Sequence, residues 1–161
     1  MIFGMTTFTF VHVVLSLIGI FAGLVVVFGL LTSRKLGGWT LLFLATTVAT
    51  SVTGFGFPFD HLLPSHIVGI ISLIVLAFAI PALYIFRVAR AWRWVYVIGA
   101  VMALYLNVFV FIVQAFEKVP ALHALAPTQN EPPFAIAQGA ALVIFIVLGT
   151  LAVRKFHPRS R

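Results

Sequence analysis

Histidines and carboxylates near a polar break at residues 53–72 are the side chains best suited to chemistry in this chain. The break holds Asp60, His61 and His66, although the whole sequence contains only three acidic residues and five histidines. In a protein without cysteine, imidazole and carboxylate are the ligands that bind zinc, copper or iron. Two imidazoles from facing helices can also hold a haem iron. We therefore expect any metal or haem chemistry to lie at this break.

His12 is placed near the break by the geometry of antiparallel helices. Each helix rises ~1.5 Å per residue, so residues equally far along the chain from a tight turn lie at the same level. With the first turn centred near residues 34–36, His12 is expected level with about Phe59. It then lies beside Asp60 and His61.

The same rule brings two amides and a carboxylate to this level. With the third turn centred near Arg90, His66 is expected level with Gln114. Folding about the middle of the last connection puts Gln138 within a turn of Gln114. Glu117 lies one turn beyond Gln114 on the same side of its helix.

Two ligand sets follow from this layer. We predict a metal site formed by His12, His61, His66, Asp60 and Glu117. For haem or another cofactor the candidates are His12, His66, Gln114 and Gln138. The alternative is that residues at the level of water tolerate histidine freely and that the amides only join helices. No HExxH motif and no i, i+4 histidine pair decides between these alternatives.

The composition requires a membrane protein. Hydrophobic residues make up 63% of the chain, the mean hydropathy is +1.21, and 8% of residues are charged. A soluble domain carries roughly a quarter charged residues. The net charge of +7 would suggest nucleic acid for a soluble protein, but here the positions of the charges report topology, so we expect no nucleic-acid partner.

The apolar runs predict an all-α fold in one domain, residues 1–161, that crosses the lipid bilayer as a bundle of five transmembrane helices. A span needs ~20 apolar residues, and the runs place the spans at about 8–31, 39–57, 65–86, 95–116 and 134–153. The first run has no basic segment before it, so we interpret it as a span and not as a secretory signal. The connection at 117–133 contains four prolines and is expected to be mostly extended.

Basic residues predict the orientation. If the N-terminus lies outside and the C-terminus is cytoplasmic, nine of the ten basic residues are inside and only Lys118 is outside. All three acidic residues then lie outside. This segregation also supports the count of five spans, because removing one span breaks it.

Small and amide residues predict how the helices meet. Gly19 and Gly23 have the GxxxG spacing that lets a second helix approach closely, either within the chain or in a homo-oligomer or a membrane-protein partner. Asn107 and Gln114 are seven residues apart and share a helix face, which we expect to point into the bundle.

In the stretches TSVTGFGFP, PSHIVGI, ALYLNVF and APTQNEPPF, the chain resembles small five-span bacterial inner-membrane proteins. The resemblance covers nearly the whole length and implies a multi-pass location in the bacterial inner membrane, but no activity. The five-span size is similar to that of translocator-type proteins, whose tryptophan-rich pattern is missing here. The five-helix haem subunits of respiratory reductases are similar in architecture only.

Three functional hypotheses remain open at this point. The first is a periplasm-facing histidine and carboxylate site that binds a divalent metal or haem for redox chemistry or metal handling. The second is a non-catalytic accessory or assembly subunit of a membrane complex. The third is a carrier or sensor for a lipid or quinone, using the threonine-rich half of the second span with Tyr105, Asn107 and Gln114.

Overall fold

The computed structural model describes residues 6–57 and 64–158, and these residues form helices and short connections. The helices are α1 (Thr7–Leu31), α2 (Gly37–Gly54), α3 (Pro64–Tyr84), α4 (Trp92–Lys118), α5 (Pro120–Leu125) and α6 (Pro132–Lys155). Each predicted span overlaps one of the five long helices and ends within three residues of it. The all-helical fold is therefore confirmed.

The connection after α4 differs from the prediction. It is not mostly extended, because α4 continues to Lys118 and the six-residue helix α5 follows at once. Pro120 is the first residue of α5. Proline is tolerated there, since the first N–H groups of a helix have no intrahelical partner. A proline in this sequence therefore starts a helix where we expected it to prevent one.

Four helices are long and apolar enough to cross a membrane, namely α1, α3 from Ser65, α4 and α6. The helix α2 is different, because it has 18 residues and six of them carry hydroxyl groups. At ~1.5 Å per residue it is about 27 Å long, slightly shorter than the ~30 Å hydrocarbon core. A count of five spans, and the orientation of the bundle, therefore stay predictions.

Two of the six hydroxyl groups of α2 donate to its own backbone, whereas Thr50 Oγ1 is buried without a partner among the described atoms. Thr46 donates to the carbonyl oxygen of Leu42 at 2.7 Å, and Thr53 donates to that of Ala49 at 2.7 Å. Such bonds let threonine lie inside a bilayer without an unpaired donor. They make α2 compatible with a membrane interior despite its composition.

The helix α4 lies at the centre of the bundle, packed against α1, α3 and α6, while α2 packs between α1 and α3. Its inner face combines small and large residues, and Ala100, Ala103 and Leu104 are fully buried. Lipid is as apolar as leucine, so close packing and interhelical hydrogen bonds must hold such a bundle together. On the outside, α6 exposes a broad apolar surface that suits lipid: Leu142, Val143, Ile144, Ile146 and Val147.

One end of the bundle carries most of the positive charge. This basic end is formed by the C-termini of α1, α3 and α6 and the N-termini of α2 and α4, and its described basic residues are Arg34, Lys35, Arg87, Arg90, Arg93, Arg154 and Lys155. Arg93 donates to the carbonyl oxygens of Val153 (3.3 Å) and Phe156. The backbone N–H of His157 donates to Ser33 Oγ at 2.9 Å. Side chains thus join three chain segments at this end.

Fusion proteins test the predicted orientation. If the basic end is cytoplasmic, alkaline phosphatase fused after Arg161 should be inactive, whereas a fusion after Pro127, at the other end, should be active. The segregation of basic residues is the reason for this expectation. Activity of the fusion after Arg161 would contradict it.

Candidate functional site

A buried polar contact lies where α1, α2 and α4 meet. Asn107 of α4 is 8% exposed and donates through Nδ2 to Thr47 Oγ1 of α2 at 3.1 Å. Gly19 of α1 faces this bond, since a Cβ atom built there would lie 3.1 Å from Thr46 Oγ1 and 3.6 Å from Asn107 Nδ2. The missing side chain of Gly19 therefore makes room for the amide, and the prediction that Asn107 faces the bundle is confirmed.

The glycine pair of α1 is used within the chain. Gly23 is buried, and a Cβ atom there would lie 2.6 Å from Leu104 Cδ1 and 2.9 Å from Phe43 Cε2. Gly19 is buried one turn away. Gly19 and Gly23 therefore pack within the chain against α2 and α4, and a homo-oligomer or partner interface through them stays a prediction.

Substituting Asn107 by leucine should have a small effect. Interhelical polar contacts in membranes contribute ~0.6 kcal/mol on average, because the chain also finds polar partners when the bundle is loosened. We expect a loss of about that size in Asn107→Leu and in Thr47→Val, measured by thermal unfolding in detergent. The double variant should lose less than the sum of the two, since both substitutions remove the same bond. Additive losses would show that the bond does not join α2 and α4 energetically.

His12 lies at the opposite end from the basic end, half-buried between α1 and the end of α2. Its Nδ1 atom is 2.8 Å from Thr53 Oγ1, and its ring meets the edge of Phe57 with the ring centroids 5.0 Å apart. The Thr53 hydroxyl donates its hydrogen to the Ala49 carbonyl, so it accepts from His12. This assigns the proton of neutral His12 to Nδ1 and leaves a lone pair on Nε2.

The register of α1 and α2 differs from the predicted one, because His12 pairs with Thr53, six residues before Phe59 in the chain, and its ring also contacts Phe57. Phe59, Asp60 and His61 lie outside the described residues, so a position of His12 beside them stays a prediction. The reason lies in the turn between α1 and α2. The Arg34 N–H donates to the Gly29 carbonyl at 2.8 Å, and Leu36 packs on Gly29. The chain therefore folds back beside the last turn of α1, and α2 begins at a deeper level than a centre near residues 34–36 implies.

His66 lies on another side of α2. It is 3% exposed, and its ring centroid is 5.9 Å from that of Phe55. Phe55 follows Thr53 by two residues, so His12 and His66 contact nearly opposite faces of the end of α2. A metal or haem shared by these two histidines stays a prediction.

Of the two predicted carboxylate ligands, the structure describes only Glu117. Asp60 and His61 lie outside the described residues. The exposed carboxylate of Glu117 accepts from Gln114 Nε2 at 3.3 Å and from Lys118 Nζ at 3.2 Å. Within residues 6–57 and 64–158, no three histidine or acidic side chains are grouped closely enough to hold a metal ion.

The two glutamines differ in position. Gln114 is exposed, so the prediction that it faces the bundle with Asn107 is wrong. It lies one turn from the end of α4, where Glu117 satisfies its amide and burial is not needed. Gln138 instead reaches inward and donates through Nε2 to the Phe109 carbonyl at 3.2 Å. Its Oε1 is buried and has no partner among the described atoms.

Glu131 organises the connection between α5 and α6. It accepts hydrogen bonds from the Thr128 hydroxyl at 2.9 Å and from the backbone N–H groups of Thr128 and Asn130. Desolvation by itself raises the pKa of Glu131, but these hydrogen bonds together outweigh it and hold the pKa below its ordinary value. Glu131 is thus a structural residue of this connection.

A cavity of about 140 Å³ opens at the basic end, between α1, α2, α3 and α4. Its walls are mainly apolar and come from Val26, Leu30, Leu36, Leu83 and Phe156. Its polar lining consists of Arg34, Lys35, Thr40, Tyr84 and Tyr96. Thr40 (5% exposed) and Tyr96 (3% exposed) are buried.

Sequence reasoning missed this cavity, because it used Arg34 and Lys35 only as indicators of topology. The available signal was the order of residues, in which two cations precede Gly37 and Gly38 at the start of a helix. Tyr96 gave no signal, since a tyrosine near a span end is usually an interfacial anchor. Only the folded bundle brings it into the same cavity as Thr40.

Comparison with protein-family models, with curated proteins and with solved structures finds no significant match for this chain.

Proposed function

We propose that this protein binds the polar end of a membrane amphiphile at its basic end, as a carrier or sensor of lipid. The observation that carries the proposal is the cavity between α1, α2, α3 and α4, whose lining combines apolar side chains with two cations and three hydroxyl groups. Binding sites for amphiphilic molecules combine these two features. The apolar surfaces of the surrounding helices supply the lipid contact that the rest of such a molecule needs.

The size of the cavity favours a head group over a whole molecule. About 140 Å³ is room for several water molecules, whereas sites that enclose a drug-sized ligand measure ~300–1,000 Å³. A haem or a complete quinone does not fit this volume. A lipid fits this volume when its head group enters the cavity and its acyl chains lie along the bundle.

Filling the cavity tests this proposal. Leu83 lines the cavity, and Leu83→Trp should abolish the lipid that remains bound when the detergent-purified protein is analysed by native mass spectrometry. Leu142→Trp is the matched control, because Leu142 is exposed on α6 and should leave binding unchanged. Thermal unfolding of each variant shows whether it is folded. If Leu83→Trp does not fold, Leu83→Phe replaces it in the binding experiment. Unchanged lipid retention in a folded Leu83 variant would contradict the proposal.

A metal or haem site at the opposite end is the second candidate. The observation in its favour is the hydrogen bond from His12 to Thr53, since ligating histidines usually donate their other ring N–H in this way. We expect His12→Ala and His66→Ala each to remove bound metal or a haem absorption band, with Asp60→Asn weakening binding less. Exposed His157 at the basic end provides the control substitution. Purified protein without metal or visible absorption would exclude this candidate.

A further inference from the structure

We infer that the cavity at the basic end selects a phosphate-bearing, anionic head group. This inference rests on the proposed function and adds the chemical class of the ligand. The polar residues of the cavity are two cations and three hydroxyl-bearing side chains, and none is a carboxylate. Such a lining offers donors to anionic oxygens and offers no partner to a cationic group.

The two cations are free to bind a ligand. Arg34 and Lys35 are exposed and form no ion pair with any described residue. The described acidic residues, Glu117 and Glu131, lie at the other end of α4 and α6. Their charges are therefore not neutralised within the described bundle, and an anion that enters the cavity meets both.

The start of α2 adds backbone donors beside the cations. Gly37 lines the cavity as the first residue of α2, and no side chain caps this helix end. A Cβ atom at Gly37 or Gly38 would meet nothing within 4 Å, so the backbone is accessible there. Free N–H groups and the positive end of the helix dipole attract phosphate. This feature supports the site that the cavity and its cations define.

The buried hydroxyl groups supply the inner wall. Tyr96 is 3% exposed and Thr40 is 5% exposed, and both line the cavity behind the cations. A phosphate with one oxygen against the cations has further oxygens for these donors. Basic pockets between membrane helices at the cytoplasmic side bind acidic lipid head groups in the same way. Free inorganic phosphate has the same chemistry, so the experiment must separate the two sources.

Binding of matched lipids by the full chain in detergent tests the inference. Phosphatidylglycerol and phosphatidylcholine with identical acyl chains are the two lipid probes, and inorganic phosphate is the third. We expect phosphatidylglycerol to bind at least tenfold more tightly than phosphatidylcholine. The Arg34→Ala and Lys35→Ala double variant should lose about 30-fold in affinity for phosphatidylglycerol, since each cation near a membrane surface contributes ~1 kcal/mol and ~1.4 kcal/mol is a factor of ten.

The matched control is the Arg154→Ala and Lys155→Ala double variant. It removes the same charge from the same end, but neither residue lines the cavity, so its affinity should stay within about threefold of the original. If the alanine pair at 34 and 35 does not fold, the glutamine pair Arg34→Gln and Lys35→Gln replaces it.

Each outcome has a definite meaning. Equal affinity for the two lipids, or equal losses in the two double variants, would overturn the inference and leave the proposed function standing. No binding of either lipid would overturn the proposed function itself. Competition by inorganic phosphate would support the phosphate site and identify free phosphate as a second source of the ligand.

Discussion

Gly23→Val is expected to destabilise the bundle by about 2–3 kcal/mol, the upper part of the range for overpacking a well-packed interior. A Cβ atom at this position lies 2.6 Å from Leu104 and 2.9 Å from Phe43, closer than carbon atoms approach. Both neighbours lie in the packed interior, since Leu104 is 0% and Phe43 is 1% exposed, so a shift of either side chain disturbs the residues around it. The helix α1 must therefore move away from α2 and α4 together. Thermal unfolding in detergent measures the loss.

Gly139→Val is the matched control for this substitution. Gly139 also lies inside a long helix, but a Cβ atom there meets nothing within 4 Å. The change from glycine to valine therefore alters helix propensity equally in both variants and packing only at Gly23. If both variants lose the same stability, α1 is not packed against Phe43 and Leu104 as the structure has it.

Arg93→Ala should destabilise the bundle by about 2 kcal/mol. Arg93 donates to the carbonyl oxygens of Val153, in the last turn of α6, and of Phe156, its C-cap residue. These hydrogen bonds join the end of α6 to the start of α4. A hydrogen bond from a charged group contributes ~1.5–3 kcal/mol, and part of this is lost to solvent because Arg93 is only half-buried. The substitution also removes the positive charge of Arg93, which interacts favourably with the negative end of the α6 helix dipole.

The readout for Arg93→Ala is thermal unfolding in detergent together with proteolysis of the C-terminal tail. We expect faster cleavage after residue 153, because the end of α6 loses its partner. Arg154→Ala is the control, since Arg154 is exposed on the last turn of α6 and, unlike Arg93, forms no side-chain hydrogen bond or ion pair with a described residue. Similar losses in both variants would show that only the charge at this end matters.

The membrane class, the bounds of the five long helices and the separation of charges were predictable from the sequence. A run of apolar residues forms a helix in lipid whatever its neighbours are, because the backbone must satisfy its own hydrogen bonds there. The burial of Asn107 was predictable for a related reason, since an amide in the middle of a span needs a partner. Gln114 shares that helix face, yet it lies near a helix end where Glu117 is its partner.

The tertiary structure decided the relative depth of the helices and hence the composition of each site. His12 meets Thr53 because Leu36 packs on Gly29 and carries α2 back along α1. Periodicity locates residues around one helix, but the offset between two helices depends on how their turn packs. The cavity between α1, α2, α3 and α4 has the same origin, since its walls belong to residues that meet only after that offset is set.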